Sequence, residues 1–225
     1  MEIYKKIDKI HLKLGCNLKT YEGGAGFPLS YSDRLSEEIN LLFNGCGVFD
    51  LKACWLIALK GKDAGNFLQG LVTSDVLKLK IGQIQSSWIC DSKGKILHHI
   101  KIFRSHEKQW VVICDPNEGR KVGTILDNFH VRENLELRLL NNREMLRVDL
   151  IGPDSISIIE KMGFSLKRFQ WNYKKEKIFS IKFNLGKTSR LINFVNVNVL
   201  QNFLKKIIKA EKTGLVSQQS FDELR

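Results

Sequence analysis

Two adjacent histidines, His98 and His99, are the sharpest chemical feature of the chain. A neutral imidazole is a base and a hydrogen-bond partner near physiological pH. Both lie in a strand-like run over residues 95–103, where neighbouring side chains point to opposite faces. They therefore diverge, and together they are poorly placed to grip one metal ion. His98 shares a face with Ile96, Ile100 and Ile102, which reads as core. His99 shares one with Leu97, Lys101 and Phe103, which reads as the wall of a cleft. On the preceding strand Trp88 offers a flat surface for stacking a ring, or a large side chain for the core. The five cysteines, at 16, 46, 54, 90 and 114, form no Cys-x-x-Cys pair. A zinc site or disulfide framework is not expected, and Cys90 and Cys114, inside apolar runs, read as buried thiols. Gly-x-Ser-x-Gly, Gly-x-Gly-x-x-Gly, His-Glu-x-x-His and the phosphate-loop signature are all absent.

The elements that must position these residues follow from periodicity. Residues 1–32 read as a lead-in. Leu35, Ile39, Leu42 and Phe43 stand at helical spacing, with Gly45 and Gly47 as the stop. A buried-type strand at 56–59 leads through Gly61-Lys62-Asp63, with Asp63 as the expected N-cap, into a helix carrying Ala64, Phe67, Leu68, Leu71 and Val72 on one stripe. Runs 84–90 and 95–103 flank Asp91-Ser92-Lys93-Gly94, which is hairpin chemistry. A third strand at 110–114, a helix over 117–129 and a strand at 135–139 follow. The order then restarts: strand 146–151, turn Gly152-Pro153-Asp154, helix 155–162, strands 178–185 and 190–196, and helix 198–211 with Leu200, Phe203, Leu204, Ile207 and Ile208 as its apolar stripe. This predicts an α+β protein of two repeated strand-helix-antiparallel-sheet units. The linear division is a lead-in with its helix (1–45), a first unit (46–142) and a second, basic unit (143–225).

Charge concentrates in the second unit. The 225-residue chain carries a formal +12, and residues 165–212 hold twelve basic and only two acidic residues. Such a surface favours an anionic partner, either an acidic protein or nucleic acid. No apolar run approaches the roughly 20 residues a spanning helix needs, so no membrane role is expected. Without a secretory leader and with unpaired cysteines, the expected compartment is the cytoplasm.

The strings Gly47-Val48-Phe49-Asp50-Leu51, Leu59-Lys60-Gly61-Lys62-Asp63-Ala64 and Phe67-Leu68-Gln69-Gly70-Leu71-Val72-Thr73-Ser74-Asp75 resemble the folate-binding aminomethyltransferase superfamily. That group contains the glycine-cleavage T-protein and the YgfZ-like folate-binding proteins. The hairpin Asp91-Ser92-Lys93-Gly94-Lys95-Ile96-Leu97 and the restart Leu150-Ile151-Gly152-Pro153-Asp154 fit the same pattern, and the resemblance runs over residues 20–225. It implies three parts around a central folate pocket, the last a small β-barrel. The chain's final residues, Phe221-Asp222-Glu223-Leu224-Arg225, resemble the helix before that last part, so the barrel is expected to be missing, as is the Cys-bearing motif of the YgfZ branch.

By the same resemblance, tetrahydrofolate is the expected ligand. His99 and His98 line its pocket, with Trp88 and with Asp75 from the family string. Lys187 and Arg190 face the folate's glutamate carboxylate or a polyglutamate tail. Two departures bear on activity. Where the T-protein carries an Asp pair after the hairpin glycine, this chain has His98 and His99, and its Thr-Gly-Glu segment is replaced around Gly186-Lys187-Thr188-Ser189-Arg190. An imidazole does not supply the fixed negative charge that steadies a cationic one-carbon centre. The expectation is a folate-binding protein that does not perform the glycine-cleavage transfer. Two alternatives stay open: an interaction module using the basic 165–212 region, and a one-carbon transferase with His99 as its base. A homodimer is one way the missing wall of the pocket would be supplied.

Overall fold

A computed structural model describes residues 2–21, 25–52, 54–140, 145–163, 178–185 and 188–223. In chain order, α1 (Glu2–Lys13), β1 (Cys16–Thr20), β2 (Gly26–Tyr31), α2 (Leu35–Asn44) and β3 (Cys46–Asp50) come first. They are followed by β4 (Leu56–Gly61), α3 (Ala64–Gln69), β5 (Ile84–Cys90), β6 (Ile96–His106), β7 (Gln109–Cys114), α4 (Gly119–Phe129) and β8 (Leu135–Leu140). The last group is β9 (Met145–Ile151), α5 (Ser155–Lys161), β10 (Ile178–Leu185), β11 (Thr188–Asn196), α6 (Val197–Ile208), β12 (Thr213–Val216) and α7 (Gln218–Asp222). The class is α+β, as expected.

Contacts divide the chain into two units. Unit 2 holds the described residues of 54–141, and unit 1 those of 1–53 and of the chain beyond 142. Unit 2 is one antiparallel sheet in the order β5-β6-β7-β4-β8. One face of it, with Ile57, Leu59, Ile100, Ile102, Val112 and Cys114, packs against Phe67 and Leu68 of α3 and Val122 and Leu126 of α4. Unit 1 holds the β1-β2 hairpin and a five-stranded sheet ordered β10-β11-β9-β3-β12. By sequence order β3 goes with the first repeat, but it hydrogen-bonds to β9 and, in parallel, to β12. A central strand buried on both faces needs no alternation, and every residue of β3 is buried. Leu200, Phe203, Leu204 and Ile207 of α6 are fully covered, each worth about 1.5–3 kcal/mol of burial.

Several local readings change. The lead-in is structured: α1 buries Ile7 and His11, one helical turn apart, and β1 pairs with β2. Asp63 does not cap α3 with its side chain; its Oδ2 accepts from the Asn134 backbone N–H at 2.7 Å. Cys114 is buried, but Cys90 is only half-buried. The repeated turns share a physical cause. A Cβ on Gly61 would lie 2.1 Å from the Asn134 carbonyl oxygen, and one on Gly152 would lie 2.3 Å from that of Gly45. Gly152 also holds φ +132°, a region L-residues avoid. Gly152→Ala is therefore expected to cost about 2 kcal/mol or more of unfolding free energy, read as a lower guanidinium midpoint at unchanged slope.

Candidate functional site

The hairpin of unit 2 sets out the chemistry. Its turn is closed by Asp91, whose Oδ1 accepts from the N–H groups of Lys93 and Lys95 at 2.9 Å; Gly94 supplies the positive φ. Trp88 on β5 stands opposite His99 on β6, and Ile89 opposite His98, but a bulge then makes Cys90 the partner of Ile96. The bulge explains a departure from simple alternation. Ile96, read as core beside His98, is exposed, and so is Leu97.

His98 and His99 each meet a carboxylate from the segment that opens α4. The Nδ1 of His98 contacts the Glu118 carboxylate, and the Nδ1 of His99 lies 3.0 Å from Asp115 Oδ2. An ionised carboxylate only accepts, so Nδ1 carries the proton in each pair. Nε2 of each ring points away from that carboxylate contact. His98 is nearly buried and His99 about one-third exposed. The Trp88 indole lies beside the His99 ring, centroids 5.9 Å apart, and is 42 % exposed, whereas Trp55 and Trp110 are buried.

The family string supports this wall. The Thr73 N–H donates to the Trp88 carbonyl at 3.0 Å, and the Trp88 N–H donates to Thr73 Oγ1 at 3.2 Å. Gln69 Oε1 accepts from the N–H groups of Val76 and Leu77, and Gln85 Nε2 reaches Ser74 Oγ and the Asp75 carbonyl. The Asp75 side chain closes its own turn. It accepts from the Lys78 backbone and pairs with the Lys78 ammonium at 2.8 Å, which holds the exposed carboxyl below its ordinary range.

The remaining site candidates lie elsewhere. Lys187 is outside the described residues. Arg190 belongs to unit 1 and is buried. Its Nε donates to Asp149 Oδ2 at 2.6 Å, and its guanidinium lies 4.5 Å from the Phe221 ring centroid. Asp149 also takes a two-pronged contact from Arg147. Burial pushes the Asp149 carboxyl up, but the two guanidiniums outweigh it and hold it below its ordinary range. Asp115 and Glu118 were not singled out from sequence; Asp115-Pro116-Asn117-Glu118 between a strand and a helix was the available signal. Among the described residues no group of three or more His, Cys, Asp or Glu side chains is placed to hold a metal ion.

The profile of the GCVT N-terminal domain matches residues 7–185, most of the chain. The chain belongs to the aminomethyltransferase (T-protein) family. This T-protein-family chain is 25 % identical over 157 residues to an aminomethyltransferase of Thermoanaerobacter pseudethanolicus, covering 69 % of this chain and 42 % of that protein. It is 31 % identical over 151 residues to one of Corynebacterium aurimucosum, covering 66 % and 40 %. The crystal structure of glycine cleavage system aminomethyltransferase T from Bartonella henselae superposes with a TM-score of 0.84 at 19 % identity, covering 97 % of this chain and 60 % of that one; this likeness is one of fold. The T-protein-family chain thus spans about two-fifths of the length of the relatives it matches.

Proposed function

We propose that this chain binds a reduced folate, tetrahydrofolate or its polyglutamate form, on the Trp88–His99 face of unit 2. Trp88 carries the reading. A tryptophan this exposed, clamped at both its backbone N–H and carbonyl by Thr73 and lying beside a ring, is a preorganised stacking surface. A pterin supplies the flat bicycle to lie against it. The edge of a pterin alternates donors and acceptors, and His99, whose Nδ1 is turned to Asp115, offers its Nε2 to that edge. Membership of a family whose named members are aminomethyltransferases supports the choice of ligand.

In this reading the chain holds folate without performing the glycine-cleavage transfer, since its β6 side chains at this point are imidazoles and not carboxylates. The His99–Asp115 pair favours one alternative, a one-carbon transferase in which His99 takes a proton through Nε2 while Asp115 orients the ring.

Calorimetric titration with tetrahydrofolate, at low and high salt, tests the binding. Saturable binding that survives salt is expected, together with quenching of Trp fluorescence. Trp88→Ala should weaken it by about 1–3 kcal/mol, or roughly 5- to 150-fold. His99→Gln should leave most of the affinity, and it would abolish turnover only in the transferase alternative. Absence of binding at millimolar folate would overturn the proposal and favour an interaction module built on the basic region. Binding by such a module to nucleic acid would fall steeply with salt.

A further inference from the structure

Unit 1 contains a recess that plays no part in the folate reading. A cavity of about 420 Å³ opens between α5 and the end of α6, within the range of small-molecule sites. Lys161 reaches it from the end of α5, Lys206 from the last turn of α6, and Lys212 from the turn into β12. Ile158, Met162 and Ala210 give it apolar surface, and the carboxylates of Asp154 and Glu211 also line it. None of these five charged side chains is ion-paired or hydrogen-bonded to another described side chain.

Backbone and hydroxyl hydrogen bonds, not the lysines, close the wall at the end of α6. At the end of a helix the unpaired carbonyls ordinarily attract nearby cations. Here the Ala210 N–H donates to the Ile207 carbonyl at 2.9 Å, and the Thr213 hydroxyl lies within donating reach of the Ile207 and Ala210 carbonyls, at 2.8 and 2.7 Å, so these acceptors have partners other than the lysines. Lys212 sits at φ +54°. The other described non-glycine residues with positive φ are Asp33 and Asn117, types that tolerate the left-handed region far better than lysine does. The Lys212 carbonyl accepts from the Cys46 N–H at 2.9 Å, and a Cβ on Gly45 would lie 2.4 Å from that oxygen. The backbone is thus held in a conformation that costs a lysine something, at a residue that lines the cavity.

We infer that this cavity binds a small organic phosphate carrying hydroxyl or amino groups, of nucleotide or sugar-phosphate size. Three compact ammonium charges suit a phosphate. The apolar surface suits a carbon body, and Asp154 and Glu211 suit hydrogen-bond donors on that body. A bare inorganic anion would leave the apolar surface uncovered and the two carboxylates in repulsion with it.

The test is calorimetric titration of the full chain with inorganic phosphate, ribose 5-phosphate and ADP, and with a short single-stranded DNA, at low and raised salt. One saturable site for ADP or ribose 5-phosphate is expected, tighter than for inorganic phosphate. Lys206→Ala should weaken it about tenfold, the worth of one charge-assisted contact, whereas Lys209→Ala, exposed just past the end of the same helix and outside the cavity, should leave it unchanged. Lys212→Gly should weaken binding while the unfolding midpoint holds or rises, because glycine relieves the positive φ; this separates lost affinity from lost fold. Equal losses from Lys209→Ala and Lys206→Ala, inorganic phosphate binding as tightly as the organic phosphates, binding of DNA alone, or no saturation by millimolar ADP or ribose 5-phosphate would each overturn the inference.

Discussion

Asp50→Asn is expected to lower the unfolding free energy by about 3–5 kcal/mol, the cost of leaving a buried charge without its partner. The Lys52 ammonium is fully buried. It contacts the Asp50 carboxylate and lies 2.9 Å from Asp8 Oδ1. Asp50 also takes His11 Nε2 at 3.0 Å and the Lys52 backbone N–H at 3.1 Å, while His11 Nδ1 is 2.5 Å from the Tyr31 hydroxyl. Burial pushes the Asp50 carboxyl up, but Lys52 and His11 prevail and draw it down to about 2. A carboxyl lowered by folding adds stability above its unfolded value near 3.8, and that stability is lost as pH falls toward 2. At about 1.4 kcal/mol per pKa unit this acid-labile part is of order 2 kcal/mol. Guanidinium unfolding from pH 7 down to 2.5 measures both effects. Wild type should weaken with acid below pH 4, and Asp50→Asn should be weak already at pH 7 with a flatter acid limb. The double variant Asp50→Asn with Lys52→Met should recover much of the loss, because replacing a whole buried pair by apolar surface is often near neutral. An unchanged midpoint in Asp50→Asn would mean that Asp8 alone satisfies Lys52.

Asp149→Asn is expected to cost a similar 3–5 kcal/mol, for a different arrangement of charge. One fully buried carboxylate is shared by Arg147 and Arg190, so its neutralisation leaves two guanidiniums without the anion between them. Arg190→Lys is the informative companion. Lysine keeps the charge but loses the planar fork and the stacking on Phe221. Arg190→Lys is expected to lower the melting temperature, read by differential scanning calorimetry, and to leave folate affinity intact in the parallel titration.

The α+β class, the element order over 35–140 and the resemblance were legible because strong periodicity and turn chemistry coincide there: Phe67 and Leu68 on one helical stripe, and Asp91 to Gly94 in one hairpin. The structure of α1 was hidden because Lys5, Lys6, Lys9 and Lys13 dilute a stripe that buries only Ile7 and His11 among its described side chains. The Trp88–His99 juxtaposition follows from hairpin register; period-two reasoning put each residue on its strand but did not pair them. The exposure of Ile96 did not follow, because a bulge leaves no mark in an apolar run. Asp115 and Glu118 are the larger omission. The negative charge missing from β6 stands one contact behind the imidazoles, supplied from a segment 16 to 20 residues later in the chain. Lys52 reads from sequence as a surface cation, and only the meeting of α1 with β3 explains its burial.

The parallel pairing of β12 with β3, which sets Thr213 opposite Cys46, has a consequence for synthesis. The ribosome delivers β3 early and its neighbours β9 and β12 late, with the whole of unit 2 emerging in between. Domains tend to fold as they emerge, so unit 2 has all its strands available while β3 waits with two unmet edges. An apolar strand in that state is a template for pairing with other chains. Birth order and pairing order therefore oppose each other in this topology. The half of the molecule that begins first is completed last, and its vulnerable interval lasts as long as translation from residue 50 to residue 216.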